Sequence, residues 1–477
     1  MRMGRSVGVV LAGAAAIAGC AGILGDFEVG ADGADAGGGA DTGTGDRGDR
    51  GDAADATAPK DAASPGDGGA TDDGAAKDAA PVCTADVCTC PPTTTLCNGA
   101  CVALATDNAH CGTSCATAIA CAAPTVCRAG ACAPCTGTTK FCAGACVDST
   151  SDGASCGACG HSCGGGTCSG GACQPVQIGG GLTGKIPSLV VTSGALFGTY
   201  NDGSGSGAVF RITLPGPPST TAPPLLSKVT GPLGPLFFDG TSLWFGNTVT
   251  PASIYQAKLT DLANPVRASY ASGSGTIYNL AALDGHPYWD QGTGSIFQQL
   301  GAPTATPVSV TPSTTRAIGG DMAAIYWAKA AGSIFAGHGD LTVAANNATI
   351  GQSPTSAAFT LVATDSKNVY FGDGNGLWRL PKSGAPAPTA YFTFSPAELP
   401  MRFAPDPDDA RNRLYYISID DTQAGSKTIF AIAKDGTSNV PVRVASLTGA
   451  AILSALAVDA TAIYYATTAG EVWKLVK

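Results

Sequence analysis

Leu283-Asp284-Gly285-His286-Pro287-Tyr288-Trp289-Asp290, then Ile296-Phe297 and Pro307-Val308-Ser309, is one copy of a unit that recurs through residues 174–477. Its centre is a doublet of large apolar residues. The doublet returns as Leu196-Phe197, Trp244-Phe245, Tyr326-Trp327, Tyr370-Phe371, Tyr415-Tyr416 and Tyr464-Tyr465, at a period of roughly 45 residues. Asp239, Asp284, Asp321, Asp365 and Asp459 precede five of the doublets. Neighbouring residues of a strand point to opposite faces, so two large apolar neighbours ask for a strand buried on both sides. A strand between two blades meets that demand, and several short strands per 45-residue unit are the signature of a β-propeller. Gly and Pro punctuation fits hairpin turns. The expectation is all-β: a seven-bladed β-propeller over 174–477.

The last unit shows three strand-like runs and no fourth. Gln174-Pro175-Val176-Gln177-Ile178-Gly179 resembles the fourth run of unit six, Val440-Pro441-Val442-Arg443-Val444-Ala445. Residues 174–180 are therefore expected to complete the last blade and close the ring, N-terminal strand against C-terminal strand, leaving no long open edge. The Tyr-Trp dipeptides and the Ile/Val-aromatic runs after them resemble propellers of the low-density-lipoprotein-receptor type and related bacterial repeats. Those receptor propellers have six blades and a stricter Tyr-Trp-Thr-Asp, so the resemblance implies fold and transfers no ligand.

Upstream, eighteen of the nineteen cysteines lie between Cys83 and Cys173. Cys90, Cys97, Cys101, Cys111, Cys115, Cys121, Cys127 and Cys132 recur as Cys135, Cys142, Cys146, Cys156, Cys159, Cys163, Cys168 and Cys173; Cys83 and Cys88 lead them. An even cysteine set in an exported chain implies a disulfide framework, which substitutes for the core that so few large apolar residues cannot build. Pairing stays open, since eight cysteines allow 105 connectivities. Zinc is the rival at Cys156-x-x-Cys159, but an oxidising compartment and only His110 and His161 nearby weigh against it. The spacing resembles the stigma-specific-protein-like repeat, which implies a small exported module (residues 81–173) without established chemistry.

The odd cysteine is Cys20. Arg2 and Arg5 precede an apolar run from Val7 to Ile17, too short to span a bilayer, so residues 1–19 read as an export signal. Ile17-Ala18-Gly19-Cys20 resembles the lipobox of bacterial lipoproteins. That resemblance implies lipid on Cys20, a membrane partner, and, with Ala21 following, the outer membrane. Residues 26–80 carry four basic against fourteen acidic groups and one aromatic, Phe27. Such a stretch reads as a disordered linker (20–80) with a span of roughly 40 Å. The doubled Arg-Gly-Asp at 47–52 is expected by chance in it. The net charge of −10 belongs to this segment, and with no basic cluster elsewhere nucleic acid is excluded as a partner.

The propeller is poor in catalytic residue types. Two histidines, His286 and His338, read as loop residues, and the repeated aspartates as turn stabilisers. Asp406-Pro407-Asp408-Asp409 reads as a solvated hairpin insertion before a calcium site, and the Asn347-Ala348-Thr349 sequon as chance. No catalytic residue, metal or cofactor is assigned. Long loops between second and third strands in units one and six flank unit seven. Tyr200, Asp202, Asn247, Asp420 and Asp421 are therefore the candidate binding rim. The expected function is non-enzymatic recognition or scaffolding of an envelope or extracellular protein or glycan. The alternative is a propeller enzyme, a lyase or glycan-active hydrolase, with its site on the axis.

Overall fold

The computed structural model describes residues 82–84 and 87–477, apart from the segments 264, 271–275, 292–294, 302–307, 311–316, 329–332, 353–360, 373–375, 384–388, 394–399, 421–424, 439 and 448–450. The leader, Cys20, the acidic linker and Asp421 lie outside the described residues.

Seven four-stranded antiparallel meanders form a propeller. Six occupy 185–230, 233–270, 279–309, 317–352, 361–393 and 400–446. Blade seven takes three strands from 453–476 and its outermost strand, Val176–Gly179, from in front of blade one. Val176 stands opposite Lys474 and Gln177 opposite Trp473, as the sequence repeat requires. The first strands of successive blades touch in order, and that of blade seven touches that of blade one. Segment 219–221 covers the outer edge of the closing strand. Ser219 N–H donates to the Gln177 carbonyl and Gly180 N–H to the Thr221 carbonyl, both at 2.9 Å.

The doublets decide the core. In blades two to seven the first member packs toward the next blade and the second toward the previous one. Tyr464 shares a cluster with Ile186 and Phe210 of blade one, while Tyr465 joins Tyr415 and Ile429 of blade six. The second member also stacks on an aromatic of the third strand: Phe245 on Tyr255 at 5.4 Å, Trp327 on Phe335 at 5.4 Å, Tyr465 on Trp473 at 6.4 Å. Blade one departs from the expected register by one residue. There Gly198 stands opposite Phe210, in the place of a second member, and Phe197 is the first. A Cβ on Gly198 would meet the Phe210 ring at 2.2 Å, so the Phe210 side chain fills the space that two stacked rings share elsewhere.

The cysteine repeats pair alike. Cys90–Cys101, Cys97–Cys115, Cys111–Cys127 and Cys121–Cys132 correspond to Cys135–Cys146, Cys142–Cys159, Cys156–Cys168 and Cys163–Cys173. Cys83 lies opposite Cys88 in a short hairpin. The sulfurs close enough to suggest a metal site, Cys111 with Cys121 and Cys132 and Cys156 with Cys163 and Cys173, all belong to these disulfides and have no thiolate to offer a metal. Asn108 Nδ2 of the first repeat donates to the Gly144 carbonyl of the second. The second repeat is built into the propeller: Cys156, Cys163 and Cys173 share an apolar cluster with Tyr415, Tyr465 and Leu475. Lys474 Nζ donates to the Gly164 carbonyl at 2.8 Å, and His161 Nε2 lies 2.7 Å from the Lys477 carbonyl oxygen.

Candidate binding cleft

Two faces of the ring differ in what their polar groups do. On the turn face, where first strands turn into second strands, Asp239, Asp321, Asp365 and Asp459 stabilise the turn as the sequence implied, whereas Asp284 itself takes the left-handed conformation (φ 52°) in a two-residue turn. Asp365 Oδ1 accepts from Lys367 N–H and Asn368 N–H, both at 2.8 Å, and Asp459 Oδ1 accepts likewise from Thr461 and Ala462. The second oxygen has a further use that periodicity did not reveal. It accepts from the polar tip of the doublet's first member: Trp244 Nε1 to Asp239 at 2.6 Å, Tyr370 OH to Asp365 at 2.7 Å, Tyr464 OH to Asp459 at 2.9 Å. A large ring is thereby buried without an orphaned donor.

Three lysines missed in the sequence join these turns. Each follows the third-strand aromatic by four residues: Trp378 to Lys382, Phe430 to Lys434, Trp473 to Lys477. Lys382 Nζ contacts Asp321 of blade four and the Asp365 carbonyl of its own blade. Lys434 Nζ lies 3.0 Å from Asp365 of blade five and donates to the Asp406 carbonyl at 2.8 Å. Lys477 Nζ donates to Asp406 of blade six at 2.6 Å. An alternating Asp–Lys belt thus runs from blade four to blade seven. Burial pushes the Asp365 carboxyl upward, but hydrogen bonds from Tyr370, Lys367, Asn368 and Lys434 outweigh it and hold the group below its ordinary range. Burial first, and then the negative charges of Asp284 and Asp340, push the Tyr288 hydroxyl up to about 12. Of Asp406-Pro407-Asp408-Asp409 only Asp406 departs from a solvated insertion: it is fully buried and paired with Lys477, while Pro407 and Asp409 are exposed. His286 Nδ1 faces the Gln299 carbonyl at 3.2 Å, and Asn347 Nδ2 is spent on the Leu341 and Val343 carbonyls.

On the opposite, rim face the hairpins joining second to third strands differ in height. Blade one's ladder runs from Ala195↔Thr213 to Asn201↔Gly207, and blade six's reaches Asp420↔Gly425. Blade seven's ladder, between them, ends at Ala466↔Val472. Two more residue pairs raise blade one about 7 Å above its neighbour. The wall so uncovered is a cleft of about 540 Å³ lined by Tyr200, Asp202, Ser206, Leu225, Lys228 and Thr230. Of the candidate rim, Tyr200 and Asp202 meet here. Tyr200 packs with Tyr464 of blade seven and its hydroxyl lies 3.4 Å from Thr183 Oγ1. Asp202 accepts from Ser204 Oγ at 2.7 Å and from the Ser204 and Ser206 N–H groups, which hold its carboxyl below the ordinary range. Asn247 is a brace, donating to the Thr230 carbonyl and accepting from Ser253 N–H at 2.6 Å, and its burial leaves no surface to offer. Asp420 tops the blade six hairpin, and Asp421 falls outside the described residues. Lys228 and Thr230 had no sequence signal, since the fourth strand reaches the cleft only through the fold.

No protein-family model matches this chain, and no curated protein sequence matches it. Its fold is similar to that of virginiamycin B lyase from Staphylococcus aureus, at 13% identity and a TM-score of 0.46, over 64% of this chain and 98% of that one. The computationally designed protein Ika8 is similar at 11% identity and a TM-score of 0.41, over 63% and 99%. These likenesses concern the fold.

Proposed function

We propose that this chain is a lipid-anchored cell-envelope protein whose propeller recognises or scaffolds an envelope or extracellular protein or glycan without catalysing a reaction. The observation that carries the recognition reading is the cleft beside the short blade seven. It sets hydroxyls, a carboxylate and an ammonium around apolar Leu225, a surface suited to a neutral polar ligand. The perturbed carboxylates Asp321, Asp365 and Asp459, of a kind that in an enzyme marks catalytic groups, are committed here to turns and blade-to-blade pairs. The second cysteine repeat packs against blade seven at Lys474 and at Lys477 on the turn face. Anchoring rests on the leader and Cys20, and the outer membrane on Ala21; the disulfides of the two cysteine repeats agree with an oxidising compartment.

The test is saturable binding of the exported chain, carrying Cys20→Ser, to a glycan array and to detergent-extracted envelope. The expected result is capture of one glycan class or one protein that Tyr200→Ala with Lys228→Ala weakens at least about tenfold. Capture insensitive to both changes overturns the cleft. Release of product from any arrayed glycan overturns the non-enzymatic reading.

A further inference from the structure

The wall of the cleft beside blade seven has an ordered polarity. Between the third and fourth strands of blade one, Phe210 stands opposite Leu225, Ala208 opposite Lys228 and Ser206 opposite Thr230. Tyr200 of the second strand lies beside Ala208, and both pack toward Tyr464 of blade seven. Alternation puts these rows on one face of the sheet, about 7 Å apart along the strands. Asp202 closes the top of the hairpin, where its carboxylate accepts from Ser204 and Ser206 N–H. From floor to mouth the wall therefore reads apolar at Leu225, cationic at Lys228, hydroxyl at Thr230 and Ser206, and anionic at Asp202.

Polar groups elsewhere around this hairpin are braces. Thr199 Oγ1 donates to the Gly234 carbonyl at 3.0 Å and Asn201 Nδ2 to the Leu233 carbonyl at 2.7 Å, both across to blade two. On the cleft wall the pattern reverses. Among the described residues the Lys228 ammonium and the Ser206 and Thr230 hydroxyls have no partner within the chain, and all three residues are exposed. Three adjacent polar tips are thus held ready along one face, over an apolar floor of Ala208 and half-buried Leu225.

The same wall narrows the chemistry of what it takes. Asp202 stays charged, since bonds from Ser204 and Ser206 hold its carboxyl below the ordinary range, and three such bonds leave one of about four acceptor sites open. With one charge of each sign lining the cleft, neither an anion nor a cation gains a net attraction. A neutral ligand must then offer an apolar group at Leu225, an acceptor at Lys228 and donors toward the mouth. A plain neutral sugar brings hydroxyls and no apolar end. An acetamido group brings a methyl with a carbonyl oxygen next to it, and the sugar ring carries hydroxyls beyond.

Building on the recognition reading above, we propose that the cleft binds an acetamido sugar, its methyl on Leu225, its carbonyl oxygen accepting from Lys228 Nζ and its ring hydroxyls donating to Thr230, Ser206 and Asp202. Isothermal titration of the full oxidised chain with Cys20→Ser tests this against three β-1,4-linked trimers: tri-N-acetylglucosamine, its de-N-acetylated form and cellotriose. The expected result is at least about tenfold tighter binding of the acetylated trimer than of the other two. Lys228→Met removes the donor and is expected to erase that preference, whereas Lys228→Arg keeps a donor and is expected to retain it. Melting temperatures equal to the parent's show that both variants fold. Equal binding of all three trimers, or of none while envelope capture still depends on Tyr200 and Lys228, overturns the acetamido assignment and leaves the cleft standing. A preference that survives both Lys228→Met and Tyr200→Ala overturns the cleft and the assignment together.

Discussion

Lys477 and Asp406 form an ion pair sealed from solvent, Nζ to Oδ2 at 2.6 Å, with side chains 2% and 0% exposed. The lysine ends the third strand of blade seven and the aspartate sits in the turn of blade six, so one buried pair ties two blades together. Tyr415 OH adds a bond to the same oxygen at 3.4 Å. Removing one partner strands a buried charge, which typically costs about 3–5 kcal/mol, whereas an apolar replacement of both can be neutral. Asp406→Asn is therefore expected to lower the unfolding free energy by about that much, and Asp406→Leu with Lys477→Met to recover most of it. Urea titration checks both, and equal losses in single and double variants would refute the coupling.

Acid acts on the same belt. Asp321, Asp365 and Asp459 are all held below their ordinary values: burial pushes each upward, but hydrogen bonds from lysine, tyrosine or backbone N–H groups outweigh it. Lys367 and Lys434 hold the Asp409 carboxyl down to about 2. A depressed carboxyl stabilises the fold fully above its unfolded pKa, about 3.9, because the unfolded chain then binds the proton more readily. That stability is lost as pH falls through the folded value. Thermal midpoints are expected to be flat from about pH 7 to 5 and to fall below about pH 4. A midpoint unchanged at pH 3 would contradict this.

Reduction is expected to open blade seven first. Cys163–Cys173 and Cys156–Cys168 lie in the cluster that holds Tyr465 and Leu475, and Cys173 stands three residues before the first residue of the closing strand Val176–Gly179. A dithiol reductant supplies two electrons and two protons per bond, and the freed segment 163–173 no longer fixes that strand. Hydrogen exchange by mass spectrometry should show early loss of protection at 176–179 and 472–476, with blades two and three retained. Uniform loss across all blades would show that the repeat is no latch.

Gly198 is expected to tolerate no side chain. Its Cβ would fall within the Phe210 ring, and overpacking a buried site typically costs about 1–3 kcal/mol. Gly198→Ala should lower the melting temperature, and adding Phe210→Leu should restore part of it, because the smaller side chain vacates the space. A melt unaffected by Gly198→Ala would refute the assigned register.

Much of the fold was legible from the doublets, because an apolar pair at adjacent strand positions has only one kind of home. Blade one was read one residue out, because Leu196-Phe197 satisfies the same pattern while Gly198 carries no apolar signal at all. The turn aspartates were legible for their local hydrogen bonds, which need only residues two and three positions on. Their second role was not, since Lys382, Lys434 and Lys477 reach a carboxylate belonging to the preceding blade. Asn247 looked like a free rim group for the opposite reason: its bond to the Thr230 carbonyl spans a blade boundary.

By itself, then, the sequence determined the all-β class, the seven units, the strand that closes the ring and the even cysteine set, all of which follow from periodicity and parity. Only the tertiary structure decided which cysteines pair, which charges are buried, and where a cleft opens. Pairing, burial and relief depend on distances between residues far apart in the chain. Two additional residue pairs in a hairpin become a wall only beside a neighbour that lacks them.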